Sequence, residues 1–205
     1  MMTLHWSPRS PYVRKVMIAA HEMGLLDRLA CVRTLVGGTT PHLELMRENP
    51  LGKIPTLVLE DGTILFDAPV ICEYLDTLHG GAKLYPAAGP ERFTALRRHA
   101  LGSGMIDMGL LLLGERSRPE GSQSQPHMDL WTLKLRTSVA ALEPEAEAIA
   151  ATPFNIGHVA IGVALGYLDF RFDALQWRDG HPRLAAWFNT FQARPSVQAN
   201  LPAEG

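Results

Sequence analysis

Asn49-Pro50-Leu51-Gly52-Lys53-Ile54-Pro55-Thr56-Leu57 is the stretch on which the fold turns, and Leu65-Phe66-Asp67-Ala68 follows it, with Leu65 ten residues beyond Pro55. A proline that opens a strand has no N–H. If the bond before it is cis, the Ile54 main chain turns outward and offers its N–H and C=O to an extended guest. An acidic residue just past the next strand, at the start of a helix, can grip the guest's ammonium group while the helix's first N–H groups receive its carboxylate. Such a guest is a small zwitterionic peptide.

Working outward, residues 3–6 read as a strand that ends at Ser7-Pro8-Arg9-Ser10-Pro11, after which Val13, Val16, Met17 and Ala20 share a helical face closed by Gly24. Residues 29–35 alternate as a second strand, and 41–46 form a short helix or turn. Residues 56–59 and 63–66 flank Glu60-Asp61-Gly62 as a hairpin. Pro69 suits the first turn of a helix carrying Ile71, Tyr74, Leu75 and Leu78. The order is βαβαββα, and a first domain is expected over residues 1–79.

Residues 80–89 are rich in helix breakers and read as a linker. Beyond it every strong pattern has the helical period, so residues 90–205 are expected to be all helical. Helices are marked by Phe93 to Leu101, Trp131 to Leu142, Ile156 to Phe170 and Leu184 to Phe191, with a break over 116–126. Gly157, Ala160, Gly162, Ala164 and Gly166 are expected to let the third of these pack closely, and Gly102, Gly104 and Gly109 to mark a bend or close contact in the first.

The chain has 205 residues and a formal charge of −2, with 19 Lys and Arg scattered without a cluster, so nucleic acid is not an expected partner. No run approaches the roughly 18 apolar residues of a membrane span, and Met1 to Arg9 lacks a signal's apolar segment. A cytoplasmic protein with no membrane partner is expected. Cys31 and Cys72 sit in a strand-like and a helix-like run, without CxxC or His-rich spacing, and read as small core hydrophobes. No metal site is expected.

With these segments in place, the whole chain resembles a cytosolic glutathione S-transferase of bacterial type. The resemblance is carried by the runs from Ser7 to Val16, Asn49 to Pro55, Phe66 to Leu75 and Gly166 to Arg171. It implies a thioredoxin-like α/β domain followed by an all-α domain, usually in a homodimer, with glutathione as co-substrate and a small hydrophobic electrophile as its acceptor. Ser10 stands where relatives keep the Ser or Cys that faces the glutathione sulfur, with Ser7 as its nearby competitor. Otherwise Ser10 is a helix cap ahead of Pro11.

The resemblance also assigns Ile54, with Pro55, to the main-chain pairing and Lys53 to the glycyl carboxylate. Asp67 and Ala68 take the acidic-then-serine pair that holds the γ-glutamyl end. Here the serine is absent, which weakens binding by about 1 kcal/mol, and the alternative for Asp67 is simple helix capping. An acceptor pocket is expected around Arg98, Leu101, Met105, Asp107 and Met108. Asn155 to His158 stands where relatives have a Ser or Thr cap and an Asp, so His158 is expected to be structural. Two functions compete: conjugation of glutathione to an electrophile, and a binding or regulatory role on a decayed site. A disulfide reductase would need a cysteine where Ser10 stands.

Overall fold

The computed structural model describes residues 1–204, which divide into two compact units. In the first, β1 (Met2–Trp6), α1 (Pro11–Glu22), β2 (Leu29–Arg33), α2 (Leu43–Glu48), β3 (Thr56–Val58), β4 (Ile64–Leu65) and α3 (Ala68–Thr77) follow in the expected order. The sheet runs β2-β1-β3-β4. β1 and β2 are parallel, as strands joined across α1 must be when they lie side by side. β3 returns antiparallel to β1, with His5 opposite Thr56, and β4 returns antiparallel to β3, with Leu57 opposite Leu65.

This topology decides where a site can form. β1 ends, β3 begins and β4 ends at the same edge of the sheet, so the segments Ser7–Ser10, Lys53–Pro55 and Phe66–Ala68 all emerge at one end. The side chain of Ile54 is buried with Val13 of α1 and Leu45 of α2, and Trp6 and Met17 pack on them. Apolar burial thus fixes the middle segment to both neighbouring helices.

Two segments fall otherwise than expected. Of residues 80–89, read as a linker, 80–88 group with the first unit and Gly89 opens the second. The reason is Asp76, a buried acid that must find donors. Its carboxylate accepts from the N–H groups of Leu84 at 3.0 Å and Tyr85 at 2.9 Å, and from His79 at 2.9 Å. The chain's last described stretch, which holds the short helix α9 (Pro195–Gln198), also groups with this unit rather than with the helical one. Arg14 donates through Nε to the carbonyl of Asn200 at 2.7 Å, and the Ser196 hydroxyl donates to Glu22.

The second unit, Gly89–Arg194, is helical: α4 (Gly89–Arg116), α5 (Gln125–Leu142), α6 (Ala146–Ala151), α7 (Ile156–Arg171) and α8 (Pro182–Gln192). Every residue of α7 from Ile156 to Leu168 is buried, the signature of a helix that is apolar all round. Its small residues do what their spacing suggests. A Cβ on Gly102 of α4 would meet the Ala160 carbonyl at 2.5 Å, and one on Gly162 would strike the Phe191 ring at 2.3 Å. Gly104 has nothing within 4 Å and marks no close approach.

His158 completes the start of α7. Asn155 accepts from the Gly157 N–H at 2.9 Å, His158 Nδ1 accepts from the Asn155 N–H at 3.2 Å, and Nε2 donates to the Ile149 carbonyl at 2.8 Å. One nitrogen accepts and the other donates, which defines the neutral imidazole. Burial holds its pKa below the ordinary value and so maintains that state.

Candidate functional site

Ser10 caps α1. Its Oγ accepts from the Val13 N–H at 3.3 Å, its own N–H donates to the Ser7 carbonyl at 3.2 Å, and Pro11 occupies the first turn. Capping uses a lone pair and leaves the hydroxyl proton to be given to something else. No acidic residue lies in the first turn of α1 to offset its positive end. Ser10 is half-exposed, whereas Ser7 is buried with its Oγ receiving the Arg9 N–H at 3.4 Å. The two roles weighed for Ser10, cap and donor, are therefore compatible on one hydroxyl.

The peptide bond between Ile54 and Pro55 is cis, as is that between Phe66 and Asp67. The N–H and C=O of Ile54 make no hydrogen bond to another described residue. Lys53 is exposed and its ammonium pairs with no described carboxylate. By contrast the Lys53 carbonyl is held from within, accepting from Asn49 Nδ2 at 3.0 Å and from the Thr56 hydroxyl at 2.8 Å.

Asp67 precedes α3. Its main-chain carbonyl accepts from the Ile71 N–H at 3.1 Å, but its side chain makes no capping bond. The carboxylate is exposed and has no hydrogen-bond or ion-pair partner among the described residues. α3 likewise has no acid in its first turn. A free carboxylate beside free helix N–H groups can take an ammonium and a carboxylate on neighbouring atoms of one ligand. Ala68 is buried and supplies only main chain.

The positions expected to line an acceptor pocket scatter. Arg98 is 4 % exposed and its Nε binds Glu145 at 3.1 Å, so its charge is spent inside the helical unit rather than presented to a ligand. Met105 is buried, Leu101 and Met108 are half-buried, and Asp107 is exposed. A cavity of about 470 Å³ lies within the helical unit between α6 and α8, lined by Phe154, Trp187, Phe191 and Arg194 among others. It contains none of Ser10, Ile54 or Asp67. The unpaired Ile54 main chain ahead of β3 and the N-terminal ends of α1 and α3 are surface features that need not enclose volume. Among the described residues no group of His, Cys, Asp and Glu is placed to hold a metal, and no helix is long and apolar enough to cross a membrane.

A parallel–antiparallel four-stranded sheet with its loops gathered at one end, followed by a helical unit, defines a class: thioredoxin-like domains joined to an all-α domain. The comparisons give the family. The Glutathione S-transferase N-terminal domain matches residues 9–78 and the Glutathione S-transferase C-terminal domain residues 125–190. The Uncharacterized GST-like protein YibF of Escherichia coli K12 is 30 % identical over 98 % of each chain. Glutathione S-transferase 2 of Saccharomyces cerevisiae is 35 % identical over 98 % of this chain and 89 % of its own. A glutathione transferase family member from Pseudomonas fluorescens Pf-5, solved with bound glutathione, is 41 % identical over all of both chains, with a TM-score of 0.97. The chain belongs to the glutathione S-transferase family.

Proposed function

We propose that this protein is a glutathione transferase that joins the thiolate of glutathione to a small hydrophobic electrophile. The observation that carries the reading is the convergence at one sheet end of three ligand-ready features. These are the Ser10 hydroxyl on a helix end, the unpaired Ile54 main chain, and the unpaired Asp67 carboxylate. The relative from Pseudomonas fluorescens, solved with glutathione, supports the choice of ligand.

In this reading the cysteinyl part of the tripeptide pairs with Ile54 as an added strand, Lys53 meets its glycyl carboxylate, and Asp67 with the Ala68 N–H takes the γ-glutamyl end. The sulfur then faces Ser10. A free thiol with a pKa of about 8.5 is only a few per cent ionised at pH 7, and lowering it by roughly two units takes about 2.7 kcal/mol. One O–H donated to the thiolate and the positive end of α1 supply that order of energy. The sulfur attacks the electrophilic carbon, the leaving group departs with the bonding pair, and no metal or covalent residue is needed. Arg98, Leu101, Met105, Asp107 and Met108 remain the proposed acceptor positions, with the Arg98 guanidinium engaged by Glu145.

Ser10→Ala is expected to lower turnover with an activated aryl halide by about tenfold to a hundredfold near neutral pH, with glutathione still bound. Full turnover from pH 6 to 8 would remove the role. The missing serine at Ala68 favours a second reading, a binding or regulatory protein on a weakened site, and failure to be retained on immobilised glutathione would select it.

The protein is also proposed to be a homodimer. Val70 is exposed on the first unit, as are Phe93, at 72 %, and Leu133, at 61 %, on the second. They are candidates for burial in a dimer interface, where apolar side chains gather into a continuous patch. Light scattering should return twice the chain mass of 22.5 kDa; a single-chain mass would contradict it.

A further inference from the structure

Asn49 is 1 % exposed and belongs to the stretch that decides the fold, yet it has no assigned role toward the ligand. Its carboxamide is fully used inside the loop. Nδ2 donates to the Lys53 carbonyl and to Thr56 Oγ1, each at 3.0 Å, while Oδ1 accepts from the Leu51 N–H at 3.0 Å. Its main chain is occupied as well: the N–H donates to the Leu45 carbonyl at 2.8 Å and the C=O accepts from Gly52 at 2.8 Å. Thr56, 0 % exposed, closes the ring by donating to the same Lys53 carbonyl at 2.8 Å.

The consequence lies in a single peptide plane. The carbonyl of Lys53 and the N–H of Ile54 belong to one rigid unit, and in a trans peptide they point in opposite directions. Two donors that draw the carbonyl into the loop therefore turn the Ile54 N–H away from it, toward the side where it has no internal partner. Asn49 also ties this plane to the end of α2, which His5 of β1 anchors through Glu48 at 2.7 Å.

We infer that Asn49, with Thr56, is a positioning residue for glutathione: it orients the Lys53–Ile54 peptide unit so that the Ile54 main chain is presented to the tripeptide. The inference rests on the function proposed above and names the groups that set up its main-chain contact. Asn49 acts on binding and not on the sulfur, which is handled by the separate Ser10 loop.

The test is titration calorimetry with glutathione on the wild type, Asn49→Ala, Thr56→Val and Thr56→Ser, at a temperature where circular dichroism shows each fully folded, with steady-state kinetics alongside. Asn49→Ala and Thr56→Val should weaken glutathione binding by about tenfold, the order expected for a buried hydrogen-bonding group lost. Thr56→Ser, which keeps the hydroxyl, should bind like the wild type. The kcat at saturating glutathione should stay within about twofold, since only the binding contact is disturbed. Should Asn49→Ala fail to fold, Thr56→Val against Thr56→Ser carries the comparison. Unchanged affinity in folded variants, or a fall in kcat with KM unmoved, overturns the inference while leaving the proposed function intact. Absence of binding by the wild type would remove that function and this inference with it.

Discussion

Asp67 shows most clearly how a residue can be in place and still unused by the fold. A helix cap would normally occupy its carboxylate, yet the side chain leaves α3 uncapped and stays unpaired among the described residues. Asp67→Asn removes the charge that would meet an ammonium and removes no internal contact. Glutathione KM should therefore rise by about tenfold or more with melting temperature nearly unchanged, as steady-state kinetics and thermal unfolding would show. His158 is the opposite case, a residue wholly consumed by structure. Its folded pKa lies below the ordinary imidazole value of about 6.5, so the unfolded chain takes up a proton more readily. The stability it contributes is complete above about pH 6.5 and is lost as pH falls from there through the folded pKa. His158→Ala should be less stable at pH 7.5 by about 1–2 kcal/mol and should show a shallower loss toward acid in denaturant titrations.

At the scale of elements, what was legible in the sequence was whatever carried a period or a breaker. The βαβαββα order, the hairpin at Glu60-Asp61-Gly62 and the long helices all have such marks. α6 and α9 were missed because six and four residues are too few to display a helical period. The close packing of α7 was readable from its small residues, whereas Gly102, Gly104 and Gly109 of α4 were not equivalent and only coordinates separate them. Adding a methyl at Gly102 drives it into the Ala160 main chain, which cannot move aside as a side chain would. Gly102→Ala should thus cost about 2 kcal/mol or more. Gly104→Ala meets nothing within 4 Å, and should gain up to about 1 kcal/mol from helix propensity. Chemical denaturation of the two variants checks the contrast, and equal effects would refute the account of α4 against α7.

For the whole molecule, the segments that carry the chemistry were visible early, because Asn49 to Pro55 and Phe66 to Ala68 declare themselves by residue type. Their convergence follows from strand order, which the sequence implies only through resemblance. What stayed hidden depended on contacts between distant residues. Asp76 draws in residues 84 and 85, Arg14 holds Asn200, and Arg98 turns to Glu145. A lone charged residue in a sequence does not announce its partner 47 or 186 positions away. The pairing of Arg98 with Glu145 stayed unread for that reason, and Asn49 was quoted within its motif without a role because its importance lies in what its carboxamide holds. The central claim is that glutathione lies along Ile54 with its sulfur at the Ser10 hydroxyl. Ultraviolet absorbance of the bound thiolate, followed against pH in the wild type and in Ser10→Ala, tests it most directly. The wild type should give an inflection roughly two units below the free thiol's value of about 8.5, and Ser10→Ala should move it back by about one unit or more. An inflection at the free-thiol value in the wild type, or one that Ser10→Ala leaves in place, would contradict the account.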